Sequence, residues 1–190
     1  MKRVYLNWND VQRQVQELVR QMWIDKWTPD YIVGIARGGL IPANLLSQYL
    51  NCDMRTLSIR LRDGASYGCE SNLWMAEEAY GYHRTDDLPG VSNPALRKQI
   101  LIVDDINDSG NTINWIRQDW QRSCNPNDPE WASIWGNNVR IATLIDNETS
   151  GAELSVDYSA EIVNKHNDPH WIIFPWEEWW CRWTPGTQHP

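Results

Sequence analysis

The sequence predicts an α/β fold, in which a mostly parallel, twisted sheet is flanked by helices and carries a small hood at its C-terminal end. The first observation is a set of short, almost wholly apolar runs at residues 31–36, 100–103 and 139–145, typical of strands buried on both faces. The second is the helical spacing of apolar residues between these runs. The third is their order, because strands that alternate with helices usually form a parallel sheet.

The individual elements follow from local signals. The spacing of Val11, Val15 and Leu18 predicts a helix over residues 10–24, with Asn9 or Asp10 as its cap. The apolar run at 100–103 belongs to a strand predicted at 99–104. Beyond the three apolar runs, the predicted elements are helices at 42–50, 73–80 and 112–122, and strands or strand-like pieces at 54–61, 158–163 and 171–174.

The chain of 190 residues has the length of one domain with a substantial core, so residues 1–190 are assigned to a single domain. Residues 1–150 form its α/β core. Residues 151–190, with their short strand-like pieces and aromatic loops, form the hood. Between about 62 and 97 no periodicity holds, and we interpret this stretch as a mobile functional flap with some helix of its own.

Composition and charge exclude several classes of function. The 17 basic and 25 acidic residues give a net charge of −8, which argues against a nucleic-acid-binding protein. No apolar run is long enough to span a membrane. The four cysteines form no CxxC pair, which indicates a reducing, cytoplasmic setting rather than a disulfide framework. The 13 tryptophans beside a single phenylalanine are expected to fill core and interface positions.

The segment at 100–112 carries the chemistry. A buried strand ends in two adjacent carboxylates, Asp104 and Asp105, which suit a pair of vicinal hydroxyls or Mg²⁺. The small polar turn that follows, at the start of a helix, can offer successive N–H groups and hydroxyls to one phosphate. The residues of this turn are Asp108, Ser109, Gly110, Asn111 and Thr112. A ribose 5-phosphate would satisfy both halves of the segment.

This pattern of four apolar residues, two acids, a spacer and Asp-Ser-Gly-x-Thr resembles the phosphoribosyl-diphosphate (PRPP) signature of type I phosphoribosyltransferases. The segment 35–42 is similar to the family's pyrophosphate loop. The resemblance implies that Ala36, Arg37 and Gly38 bind the diphosphate of PRPP, with Arg37 in a catalytic role, and that the peptide between Ala36 and Arg37 is cis.

Within the family, the chain looks most like the 6-oxopurine enzymes of the xanthine–guanine and hypoxanthine–guanine types. The resemblance makes Asp108 the general base acting on purine N7, while a plain helix cap is the alternative. It also implies that Trp171 stacks on the base, that the backbone at Ile172 reads the base edge, and that Glu177 holds a second Mg²⁺ or an exocyclic group.

One position departs from the family pattern. A lysine that meets purine O6 is expected just after the strand at 139–145, where this chain has Asn147, or Asp146 if the register slips. An amide can either donate to O6 or accept from an amino group, so the base preference stays open. Lys165 is expected on the protein surface. His166 and His170 have the spacing of metal ligands, but the intervening Pro169 argues against a zinc site.

The resemblance therefore implies a Mg²⁺-dependent enzyme of purine salvage, which moves 5-phosphoribosyl from PRPP to N9 of hypoxanthine, guanine or xanthine and releases pyrophosphate. Asp104, Asp105 and Glu177 are the expected metal ligands, and a homodimer or homotetramer is the expected assembly. Two alternatives remain: a non-catalytic PRPP or nucleotide sensor on the same fold, and a phosphoribosyltransferase for another base.

Overall fold

The computed structural model describes residues 2–62, 65–66, 68–82 and 92–177. Within these ranges the helices are α1 (Trp8–Ile24), α2 (Leu40–Leu50), α3 (Leu73–Tyr80) and α4 (Asn111–Ser123), with 3₁₀ turns at Pro94–Leu96 and Pro129–Ser133. The strands are β1 (Lys2–Tyr5), β2 (Tyr31–Ala36), β3 (Asp53–Ser58), β4 (Leu61–Arg62), β5 (Ala65–Ser66), β6 (Ile100–Asn107), β7 (Val139–Asn147), β8 (Tyr158–Val163) and β9 (His170–Ile173).

The central sheet of the described chain is fully parallel, with the strand order β3-β2-β6-β7-β8. Alternate residues of β6 enter different cores. Leu101 and Val103 pack with α1 and α2 on one face, whereas Ile100 and Ile102 pack with α3 and α4 on the other. Helices on both faces explain why the central strands are apolar throughout, and they confirm the predicted fold class.

Tryptophan fills part of the core, as its abundance predicts. Trp120, on α4, and Trp131, in the 3₁₀ turn at Pro129–Ser133, are buried, and Trp135 contacts both rings at centroid distances of 5.7 and 5.9 Å. Trp23, on α1, is instead 80% exposed. The indole rings therefore supply bulk on the α3–α4 side of the sheet, where a chain with one phenylalanine needs it.

Several predicted boundaries are corrected by local hydrogen bonds. Helix α1 starts at Trp8 because Asn7 caps it: the Asn7 side chain accepts hydrogen bonds from the N–H groups of Asn9 and Asp10. The Asp10 carboxylate in turn accepts from the Asn7 N–H. The strand predicted at 54–61 ends at Ser58, and the chain then turns into the β4–β5 hairpin. The short helix predicted at 73–80 is confirmed, and its start is capped by Asn72.

A two-stranded sheet apart from the central one contains a strand pairing that the sequence did not predict. β1 pairs in parallel with β9, which places residue 2 beside residue 170. This pairing joins the N-terminal strand to the segment expected to bind the base. The predicted flap at 62–97 is described only in part, and residues 83–91 lie outside the described ranges.

The helices of the described chain include none that is both long and apolar enough to cross a membrane.

Candidate active site

The candidate site lies where three parallel strands end. Turns at 37–39, 108–110 and 148–150 follow β2, β6 and β7. Because the strands are parallel and adjacent, these turns meet at one edge of the sheet, the usual place for ligands in open α/β folds. The loops predicted to bind diphosphate and phosphate are thus brought together.

The turn after β2 is packed against the carboxylates of β6. The peptide between Ala36 and Arg37 is cis, as the resemblance implies. A Cβ atom on Gly38 would lie 1.9 Å from Oδ2 of Asp105, so any larger residue would have to displace that carboxylate. The Arg37 side chain is exposed at this edge, where it is free to meet a ligand.

Asp104 and Asp105 lie side by side, partly buried, at the end of β6. The Asp105 N–H donates to Asp104 Oδ1 at 3.0 Å, and the Ile106 N–H donates to Asp105 Oδ1 at 2.9 Å. Burial and the neighbouring Asp105 charge raise the pKa of Asp104 well above its usual range. Burial raises the pKa of Asp105 to about 6, with a hydrogen bond to Asp104 opposing this rise and the charge of Glu177 adding to it.

The turn after β6 leads directly into α4. Gly110 takes a left-handed conformation, with φ of 82°, and occupies the cap position without a side-chain hydrogen bond to the helix. The cap residue itself therefore supplies no side-chain acceptor to the first N–H groups of this 13-residue helix, and only a long bond of 3.4 Å from the Asn111 N–H to the Ser109 hydroxyl involves a neighbouring side chain, which suits a phosphate site. A cleft is formed here by Asp104, Ile106, Asn107, Asp108, Ser109, Gly110, Asn111, Thr112, Ile113 and Thr143.

Thr143 is a cleft residue that the sequence did not single out. It lies on β7 and is completely buried, and its hydroxyl has no hydrogen-bond partner among the described residues. Within an apolar strand, a threonine that faces a ligand cannot be told from one that faces the core. The only available signal is that a lone hydroxyl interrupts a run of aliphatic residues.

Asn147 is buried, and both its Nδ2 and its Oδ1 have hydrogen-bond partners. Its Nδ2 donates to the carbonyl of Asp108 at 2.9 Å. Its Oδ1 accepts from the Thr149 hydroxyl at 2.8 Å, the Thr149 N–H at 3.3 Å and the Lys165 N–H at 3.2 Å. This side chain therefore bridges the backbone on either side of the site, and both ends of its amide are already bonded to protein.

Lys165 corrects the expectation of a surface position. Its side chain is only 15% exposed, and its Nζ lies 2.8 Å from Oδ1 of Asp108, whose side chain is 46% exposed. The residue comes from the turn after β8, far from Asp108 in sequence. The structure thus brings an ammonium group to the carboxylate expected to act on the base.

The segment at 171–177 presents aromatic side chains, and its Glu177 acts through its charge on Asp105. Trp171 is 54% exposed, whereas Ile172 is buried. Trp176 stacks on Phe174, with centroids 4.8 Å apart, and contacts Trp8. The turn is closed by Glu177, whose Oε2 accepts from the Phe174 N–H at 2.9 Å.

The carboxylates at this edge of the sheet meet part of the coordination that Mg²⁺ needs. The described residues contain no group of three or more His, Cys, Asp or Glu side chains arranged to hold an ion. Asp104, Asp105 and Glu177 therefore do not form a complete protein cage, and His166 and His170 belong to no such group. Two adjacent carboxylates of raised pKa are nevertheless oxygen donors that fit Mg²⁺, which usually completes its coordination with water and substrate phosphates.

Comparisons with known proteins agree with this geometry. Residues 4–180 match the phosphoribosyl transferase domain family. The chain is 25% identical over 178 residues to a xanthine-guanine phosphoribosyltransferase of Idiomarina loihiensis, covering 91% of this chain and 86% of that protein. It is 24% identical over 200 residues to a hypoxanthine-guanine phosphoribosyltransferase of Schizosaccharomyces pombe, covering 92% and 89%.

Solved structures share the fold. A purine phosphoribosyltransferase from Pyrococcus horikoshii aligns over 100% of both chains, with a TM-score of 0.60 and 24% identity. A xanthine-guanine-hypoxanthine phosphoribosyltransferase from Helicobacter pylori aligns over 92% of this chain and 93% of that one, with a TM-score of 0.58 and 19% identity. With the strand-end turns and paired carboxylates above, the match over residues 4–180 shows that this chain belongs to the phosphoribosyltransferase family.

Proposed function

We propose that the protein transfers 5-phosphoribosyl from PRPP to N9 of a purine base, namely hypoxanthine, guanine or xanthine, and releases pyrophosphate. One observation carries the proposal. The turn at 36–38, expected to bind diphosphate, lies at the same edge of the sheet as Asp104, Asp105 and the turn at 108–112, which is expected to bind phosphate. The names of the curated relatives, which are purine phosphoribosyltransferases, support the choice of a purine.

In this mechanism the turn at 108–112 holds the 5-phosphate through the N–H groups at the start of α4. Asp104 and Asp105 accept from the ribose hydroxyls, while Ala36, Arg37 and Gly38 bind the diphosphate. The lone pair of N9 forms the new bond to the anomeric carbon. The bond from that carbon to the diphosphate breaks with inversion, and its electron pair leaves with pyrophosphate.

Charge stabilisation at two places lowers the barrier. Arg37 is an exposed cation beside the expected diphosphate, where negative charge grows on the leaving group. Asp108 is a carboxylate open to the cleft and suited to hold the proton at N7 of the base. Trp171, exposed on β9, is a surface on which a flat heterocycle can stack, next to the backbone of Ile172.

Mg²⁺ would be held by Asp104 and Asp105 together with substrate oxygens, with Glu177 nearby, and it would neutralise part of the diphosphate charge. The net charge of −8 is compatible with this proposal, because a metal ion and backbone N–H groups can bind phosphates in a protein with an excess of acidic side chains.

A cytoplasmic location and a homo-oligomeric state, dimer or tetramer, complete the proposal. The cysteines among the described residues, Cys52, Cys69 and Cys124, are all free, as is usual in a reducing compartment. Light scattering of the purified chain measures the assembly, and a monomer at all concentrations would contradict this part of the proposal.

The decisive experiment offers PRPP and Mg²⁺ with hypoxanthine, guanine, xanthine or adenine separately and measures nucleotide formation. We expect turnover of at least one 6-oxopurine. Asp108→Asn should reduce kcat by about 10²- to 10⁴-fold, because the amide cannot take the proton at N7. Binding of PRPP without turnover of any base would overturn the enzymatic proposal and favour the sensor.

A further inference from the structure

We propose that Lys165 selects the base: its ammonium group, held against Asp108, donates to an oxygen on purine C6, on the same edge of the base as N7, and disfavours an amino group there. Asn147 is assigned as the positioning residue of this pair. The inference deepens the proposed function and rests on it for the position of the base.

The first step concerns the identity of the cation. The family pattern has a lysine at the end of β7, and this chain has Asn147 there. The ammonium group at the site comes instead from the turn after β8, and it lies 2.8 Å from Asp108. With 15% exposure, the Lys165 side chain is mostly covered by protein rather than extended into solvent.

The second step concerns how the cation is held. The Asn147 amide donates to the Asp108 carbonyl at 2.9 Å and accepts from the Lys165 N–H at 3.2 Å. One buried side chain therefore bonds to the backbone of both residues whose side chains form the ion pair. This bridge sets the separation between the two loops, and it occupies the amide that would otherwise be available to the base.

The third step is the chemistry of the base edge. If Asp108 faces N7, the substituent on C6, which the ring-fusion carbon C5 separates from N7, lies on the same edge of the base and within reach of a group bonded to Asp108. An ammonium group has three donors and no acceptor, so it can bond Asp108 and still donate to a 6-oxygen. A 6-amino group is itself a donor. Its N–H would face the N–H of the ammonium group, and two donors removed from water would then have no acceptor between them.

The test compares the binding of three ligands by calorimetry: inosine 5′-monophosphate, adenosine 5′-monophosphate and ribose 5-phosphate. The two nucleotides present an oxygen and an amino group, respectively, at C6. We expect wild type to bind the inosine nucleotide about 10- to 100-fold more tightly, the range of one charge-assisted hydrogen bond. Lys165→Met should remove most of that difference by weakening the inosine nucleotide, with ribose 5-phosphate unchanged.

Two further variants separate selection from structural support. Lys165→Arg keeps a cation at the position and should retain most of the preference. Lys98→Met removes an exposed lysine elsewhere and should leave all three affinities unchanged. If Lys165→Met weakens all three ligands equally, the residue supports the site without selecting the base, and the proposal is overturned. Wild type that binds both nucleotides equally would also overturn it.

The outcome is independent of turnover. A chain that prefers the inosine nucleotide through Lys165 but makes no product from PRPP would keep this inference and lose the proposed function. A chain that turns over a 6-oxopurine with an unchanged preference in Lys165→Met would keep the function and lose the inference.

Discussion

At the residue scale, the site depends on polar atoms within an otherwise apolar framework. Asn147 and Thr143 lie on the same strand, β7, and both are buried. The amide of Asn147 has protein partners at both ends, whereas the hydroxyl of Thr143 has none among the described residues. A buried hydroxyl without a partner costs free energy, so a ligand that supplies one is expected to bind there.

Thr143→Val tests this expectation. Because valine has nearly the same shape and no hydroxyl to bury, the free energy of unfolding should rise by about 1 kcal/mol, measured by urea denaturation. Affinity for ribose 5-phosphate should fall about 3- to 10-fold in calorimetry, since the cleft loses one hydrogen bond.

Thr56→Val, at an exposed position on β3, is the matched control and should leave that affinity unchanged. If Thr143→Val raises the free energy of unfolding but leaves the affinity for ribose 5-phosphate unchanged, the hydroxyl does not contact that ligand.

At the element scale, the site depends on how closely the turn after β2 approaches β6. Gly38 and Asp105 belong to segments far apart in sequence, and only a hydrogen atom fits between them. This contact joins the expected diphosphate loop to the expected metal ligands. The two loops can therefore act on one PRPP molecule without either of them being long.

Gly38→Ala should break this junction. The added methyl group would have to displace the Asp105 carboxylate, so we expect at least about a 10-fold loss of Mg²⁺-dependent PRPP affinity, the equivalent of about 1.4 kcal/mol. The circular dichroism spectrum should stay that of the wild type, because the strands themselves are untouched. Calorimetry with PRPP and Mg²⁺ measures the loss.

Gly151→Ala is the comparison, because its new Cβ would meet the Ser109 carbonyl only at an ordinary 3.5 Å. Equal PRPP affinities in the two variants would contradict the close approach at Gly38.

At the scale of the whole molecule, the paired acids make stability depend on pH. The folded-state pKa of Asp105 is about 6, above its ordinary value of 3.8, and that of Asp104 is raised in the same direction. The folded state therefore binds protons more tightly than the unfolded state. The resulting stabilisation is complete below pH 3.8 and is lost as the pH rises through about 6.

We expect the metal-free protein to lose on the order of 2 kcal/mol of unfolding free energy from this site between pH 4 and 7. Asp105→Asn removes a buried charge and should flatten this pH dependence. Added Mg²⁺ should stabilise wild type more at pH 7.5 than at pH 5, because the ion competes with protons for the same oxygens. Urea unfolding at the two pH values, with and without Mg²⁺, measures both effects.

A pH dependence of Asp105→Asn equal to that of wild type would show that the acids are not the source. Glu153→Gln, a change at the half-exposed partner of Arg117, removes one carboxylate charge outside the Asp104–Asp105 pair and provides a charge-matched control.

Much of the fold was predictable because its signals are local. The apolar runs at 31–36 and 139–145, the short helix at 73–80 and the strand at 158–163 each need only neighbouring residues to be recognised. The boundaries that shifted depended on hydrogen bonds made by single side chains. Asn7, for example, caps α1, but it lies before Val11, where the apolar spacing of the helix begins, so that spacing does not indicate it.

The sequence by itself determined the family and located the two turns proposed to bind PRPP, because each turn is a contiguous stretch whose chemistry lies in adjacent residues. Only the tertiary structure decided that β1 pairs with β9 and that Lys165 meets Asp108. It also showed that Asn147 is engaged by backbone on both sides rather than free toward a base. These contacts join segments far apart in the chain, and the one between Lys165 and Asp108 forms because packing β8 beside β7, and β7 beside β6, carries the turn after β8 to the end of β6.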